Sequence, residues 1–118
     1  MNFRDIASKP ATEALRLIEK RELSPVELVK ACLKQVEIWN ADVNAVVTLS
    51  PELLEEARRA EQKVMNGEDL GLLHGLPVGI KDMTPVQGMR TTYGSTVYAD
   101  NVAEQDSLVV ERLKRAGA

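Results

Sequence analysis

Apolar residues recur at helical spacing through the first half of the chain. Ala11, Ala14, Leu15 and Ile18 mark one such stretch. After a turn at Arg21–Ser24, the run Ser24-Pro25-Val26-Glu27 combines an N-cap serine, a first-turn proline and a glutamate placed to close a capping box. The helix it opens carries Val26, Val29, Leu33 and Val36 on one face, with Leu28 and Cys32 alongside. Glu27, Lys30, Lys34 and Glu37 lie opposite. Val43–Leu49 is short and β-branched, and predicts a strand. Ser50-Pro51-Glu52-Leu53 repeats the cap-and-proline start. Leu53, Ala57, Ala60 and Val64 then form the inner face of a helix that Asn66-Gly67 terminates.

The pattern changes after residue 70. Gly71, Gly75, Gly79, Gly88 and Gly94 fall close together. Leu76–Lys81 is an apolar run that predicts a buried strand, and Met83 to Tyr98 reads as irregular. A last helix is expected near Asp106, with Leu108, Val109, Leu113 and Ala116 inward and Arg112, Lys114 and Arg115 in its final turns. Several amphipathic helices with little sheet to cover predict the N-terminal part of a larger α/β domain. Residues 1–70 would be mainly helical, and 71–118 would form a strand, loop and helix. A complete small helical domain is the alternative on pattern alone.

Composition narrows the class. The chain has 118 residues, 44% hydrophobic and 28% charged, and only 3% aromatic, so its core must rest on aliphatic side chains. A net charge of −3 supplies no field for nucleic acid or anionic lipid. The N-terminus lacks the apolar region of a signal peptide, and no run approaches a membrane span, so a cytoplasmic location is expected. The single Cys32 excludes an internal disulfide; it reads as a small buried hydrophobe or, less simply, a reactive thiol. The single His74 excludes a histidine metal cluster and reads as structural or pocket-lining.

Lys81 carries the chemistry. It ends an apolar run and is followed directly by Asp82. A buried lysine loses proton affinity and becomes a base near neutrality. The plainer reading is an exposed strand end paired with solvent or Asp82. Residues 71–82 (Gly-Leu-Leu-His-Gly-Leu-Pro-Val-Gly-Ile-Lys-Asp), then Gly88-Met89-Arg90-Thr91-Thr92-Tyr93-Gly94-Ser95 and the segment from Gln105 to Ala118, resemble the amidase signature family in order and content. Ser24–Val29 and Asn44–Val47 resemble it as well.

That resemblance implies an α/β/α fold with a mixed sheet and hydrolysis of a carboxamide C–N bond by a Ser-cisSer-Lys triad. Lys81 matches the lysine of the triad. Asp82, Thr91, Thr92, Gly94 and Ser95 fall at pocket or supporting positions, and neither metal nor organic cofactor is implied. The family's two serines belong to a glycine- and serine-rich segment that Ser8, Ser24, Ser50, Ser95 and Ser107 do not match. Residues 1–118 are therefore expected to be catalytically silent alone. A small amide would be the partner of the whole protein. Two other readings stand beside it: the amidase-type subunit of a transfer-RNA-dependent amidotransferase, or a non-catalytic module whose uncovered apolar faces dock onto a partner or a second copy.

Overall fold

The computed structural model describes residues 1–118. It contains five α-helices: α1 (Phe3–Ala7), α2 (Ala11–Glu19), α3 (Pro25–Val43), α4 (Leu53–Met65) and α5 (Leu108–Arg115). A 3₁₀ turn, Thr96–Tyr98, interrupts the long irregular stretch before α5. No helix is long and apolar enough to cross a membrane.

Local chemistry explains where the long helix begins and ends. Ser24 Oγ accepts the Glu27 N–H at 3.0 Å, and Glu27 Oε2 accepts the Ser24 N–H at 2.9 Å, completing the predicted capping box. At the far end Asn44 takes a left-handed conformation, φ 47°, and closes α3 by donating to Asn40 O. α4 starts two residues later than the Ser50-Pro51 signal suggests. Ser50 Oγ accepts the Glu52 N–H in a local turn, and Glu52 is the N-cap.

One buried cluster organises the helices: Ile6, Ala14, Leu17, Ile18, Leu23, Leu28, Ala31 and Val64. α3 packs against both α1 and α4. The helical spacing read at Ala11–Ile18 is α2, which buries Ala14 and Ile18 together with Leu17 and leaves Ala11 exposed. The helical pattern of α3 splits in two. Leu28 and Ala31 enter the core, whereas Val29, Leu33 and Val36 line an open trough. In α5 the inward residue is Val110; Leu108 and Val109 are 62% and 53% exposed, contrary to the sequence reading. The α4 face is as expected, with Ala57 and Val64 buried.

Neither predicted strand forms. Residues 45–49 are irregular, with a bend at Val47, and pair with no neighbouring strand; instead the Asn40 side chain donates to Val46 O and accepts the Val46 N–H, both at 2.8 Å. Residues 77–80 likewise take no regular structure, and none of their backbone N–H or C=O groups is bonded within the chain. A strand is defined by its ladder, and β-branched composition cannot supply the partner. One short antiparallel bridge exists, between Arg90 and Val102.

The result is an open body. It exposes 8051 Å², where a compact chain of 13.0 kDa exposes about 6,300 Å². Its radius of gyration is 14.9 Å, against about 13.5 Å for a compact domain of this length. A trough of about 980 Å³ opens between α3, α4 and residues 74–82.

Candidate functional site

The glycine-rich half is anchored at residues 71–75. Leu73 N–H donates to Ala116 O and Gly75 N–H to Gly117 O, each at 2.8 Å, so this turn lies on the C-terminal end of α5. The approach is close: a Cβ on Gly71 would stand 2.2 Å from Ala116 O, and one on Gly117 would stand 2.9 Å from His74 Cα. Gly117 also has φ 97°, a conformation open to glycine. His74 is buried, and its Nε2 lies 2.8 Å from Ala60 O. A carbonyl only accepts, so Nε2 carries the proton and ties the turn to α4. His74 thus has a structural role and also lines the trough.

From that anchor Leu76 packs against the core, and the chain runs out along the trough to Lys81. Lys81 is exposed, and its ammonium makes no ion pair within the chain. The buried environment expected for it is not formed by residues 1–118. Beyond it the backbone turns sharply, with the N–H groups of Met83 and Thr84 both donating to Lys81 O.

Asp82 links this turn to the next segment. Its carboxylate accepts the Thr92 backbone N–H at 2.8 Å and the Thr92 hydroxyl, while its carbonyl accepts the Tyr93 N–H at 2.9 Å. The Thr92 hydroxyl and then its N–H hold the Asp82 carboxyl below the ordinary aspartate range, helped by the nearby Arg90 charge and opposed by partial burial. Thr92 Oγ1 also accepts the Gly94 N–H at 3.2 Å. Tyr93 sits at φ 54°, an uncommon conformation for a bulky residue, with its ring edge-on to Tyr98 at 5.3 Å.

Thr91 is buried; its N–H donates to Asn101 O, and its C=O accepts from Asn101 Nδ2. Ser95 Oγ accepts the Val97 N–H and so starts the 3₁₀ turn. Asp82, Thr91, Thr92, Gly94 and Ser95 thus belong to one hydrogen-bonded loop beside Lys81. Met89 lines the trough, whereas Trp39 is exposed on α3. Cys32 is partly buried beside the core, which pushes its thiol up and makes it a poorer nucleophile.

Two residues escaped the sequence reading. Arg90 donates to Val47 O and Ala99 O at 3.2 Å and to Thr48 Oγ1 at 3.4 Å, joining segments far apart in the chain. Asp106 accepts the Gln87 N–H at 2.8 Å and Lys114 Nζ at 2.9 Å, which lower its carboxyl in that order. An exposed arginine among glycines was the one signal for the first. The second needed the helix register. No group of three or more His, Cys, Asp or Glu side chains gathers to hold a metal ion.

Comparison with known proteins places the chain in a family. The family model Amidase matches residues 27–118. The chain is 35% identical over 113 residues to a glutamyl-tRNA(Gln) amidotransferase subunit of Bdellovibrio bacteriovorus, covering 96% of this chain and 23% of that one. It is 39% identical over 108 residues to an acylamidase of Rhodococcus erythropolis, covering 91% and 23%. Among solved structures, a peptide amidase in complex with the competitive inhibitor chymostatin aligns with a TM-score of 0.89 at 27% identity, over 97% of this chain and 24% of the other. The chain spans about a quarter of the length of these relatives. Its helices, the lysine turn and the threonine loop are laid out on the backbone path of those enzymes, and the chain belongs to the amidase family.

Proposed function

We propose that the protein carrying this chain hydrolyses a carboxamide C–N bond, with Lys81 as the base of a Ser-cisSer-Lys triad. The observation that carries the reading is the family match running unbroken through residues 27–118, with Lys81 and its loop inside it. Relatives named acylamidase and peptide amidase support the reaction class. In this reading both serines lie outside residues 1–118, and the chain alone does not turn over an amide.

The neutral Lys81 amine takes a proton through the cis-serine from the nucleophilic serine. The freed oxygen bonds to the amide carbon, the C–N bond breaks, and the proton passes to the departing amine. Water then cleaves the acyl ester and releases the acid. Asp82, Thr91, Thr92, Gly94 and Ser95 support the lysine by fixing the loop beside it. Residues 77–80, with their unbonded backbone, and residues 45–49 are, in this reading, strands of the mixed sheet of the whole enzyme. That sheet also fills the trough and desolvates Lys81. The location is cytoplasmic, and the substrate is a small or aryl-type amide.

The test is Lys81→Ala in the whole protein, assayed for ammonia or amine release from a panel of small carboxamides and anilides. Loss of about 10²–10⁴-fold in rate is expected; activity within tenfold of the parent refutes the assignment. The amidotransferase relative favours a second reading, in which the amide cleaved is glutamine and the ammonia serves a partner. Glutaminase activity that appears only with a co-purified partner would select it.

A further inference from the structure

We propose that Arg90 is a positioning residue for Lys81, acting through the loop that holds Asp82. This rests on the reading of Lys81 as the base and adds a residue through which its place is set. The argument begins with what holds Lys81. On its N-terminal side residues 77–80 make no backbone hydrogen bond, so the nearest fixed point is Leu76 in the core. On its C-terminal side the turn closes on itself, and the first link to another segment is Asp82 to Thr92 and Tyr93. The position of Lys81 is therefore only as well defined as that of residues 92–93.

Those residues sit at the end of a narrow platform. Gly88 N–H donates to Ala103 O, Ala103 N–H to Met89 O, and Thr91 N–H to Asn101 O, at 2.8 to 3.0 Å. One flank of the platform is tied to the residues just before α5 by Gln87 N–H on Asp106 and by Ser107 N–H on Pro85 O. Arg90 ties the other. Its Nη2 reaches Val47 O and its Nε reaches Thr48 Oγ1, both in the connection between α3 and α4, while Nη1 reaches Ala99 O beyond the 3₁₀ turn.

One planar fork thus joins the helical half, the platform and the 3₁₀ turn, and two of its three acceptors are backbone carbonyls. A lysine ammonium is a single point of contact and cannot span both segments in the same way. The Arg90 charge also adds, after the two hydrogen bonds from Thr92, to the lowering of the Asp82 carboxyl.

The experiment compares Arg90→Met, which keeps the apolar stem, with Arg90→Lys. In residues 1–118, amide hydrogen exchange is read at Thr92 and Tyr93, with the interior of α3 as internal reference. Arg90→Met should speed exchange at both amides by about tenfold, the equivalent of one to two hydrogen bonds, and leave α3 unchanged. Arg90→Lys should recover part of the protection. In the whole enzyme Arg90→Met should lower kcat by about tenfold or more with KM within about threefold, and Arg90→Lys should restore part of kcat.

Unchanged exchange at Thr92 and Tyr93 overturns the proposal. So does faster exchange through α3, which would make Arg90 a residue of general stability. An Arg90→Met enzyme that loses through KM alone also overturns it. Full activity in Lys81→Ala is a separate result: it removes the reading beneath, whatever Arg90 does to the loop.

Discussion

Replacing Gly71 by alanine tests whether the seam between residues 71–75 and the end of α5 holds the second half of the chain together. The new Cβ would stand 2.2 Å from Ala116 O, 2.6 Å from its carbonyl carbon and 3.2 Å from Gly117 N. All three are backbone atoms, so no side chain can swing away and the two segments must part. Parting them weakens Leu73 N–H to Ala116 O and Gly75 N–H to Gly117 O. Two backbone hydrogen bonds contribute about 1–3 kcal/mol together, and an unrelieved overpacking costs about 1–3 kcal/mol. Reduced freedom of the unfolded chain offsets about 0.4–1 kcal/mol. The net loss is about 2–4 kcal/mol. With an unfolding entropy of roughly 2.1 cal/mol/K per residue over 118 residues, Tm should fall by about 8–16 °C. Gly79→Ala is the matched control, since its Cβ meets no atom within 4 Å and should leave Tm unchanged or slightly raised. Thermal and urea unfolding followed by far-ultraviolet circular dichroism measure both. A Gly71→Ala protein melting within 2 °C or so of the parent would show that the seam is not under tension.

Ser24→Ala should cost about 1 kcal/mol in urea unfolding by opening the capping box of α3, and Ser24→Asp should restore most of it. His74→Leu should lose about 0.5–1.5 kcal/mol, the net worth of its bond to Ala60 O, because that carbonyl lies inside α4 and keeps its helical N–H donor; urea unfolding reads the difference. Because the carboxyls of Asp82 and Asp106 titrate below their unfolded value, the stability they add is full above about pH 4 and is lost as pH falls through their folded values. Asp82→Asn should therefore flatten the acid limb of a Tm-against-pH curve; an unaltered limb would exclude Asp82 as its source.

The helices were legible because their signals are local. Ser24, Pro25 and Glu27 lie within one turn of each other, and the α4 stripe of Ala57 and Val64 repeats at 3.6 residues. The choice of buried face was less legible. In α3 both faces are apolar, one meeting the core and one the trough, and spacing alone cannot rank them. In α5 the buried position fell to Val110 between two exposed apolar neighbours, because the helix touches the body along a narrow line.

The strands failed for a different reason. A β-branched run reports a willingness to pair, while the partner is supplied by residues distant in sequence. For residues 77–80 no such partner stands within the chain. At the site, Asp82, Thr91 and Thr92 were legible from the family's motif, and the structure joins them in one loop. Arg90 was not singled out, because its three acceptors lie at Val47, Thr48 and Ala99, a pattern with no sequence period.

The openness of the body has a calorimetric consequence. The surface it leaves wet, about 1,700 Å² beyond that of a compact chain, is already hydrated before unfolding begins. Taking a little over half of it as apolar, its contribution to the heat-capacity change is about 0.25 kcal/mol/K. A chain of this length otherwise gives about 1.4–1.8 kcal/mol/K. The stability curve of residues 1–118 is accordingly about one-sixth flatter than that of a closed domain, and whatever fills the trough steepens it by the amount of water it expels.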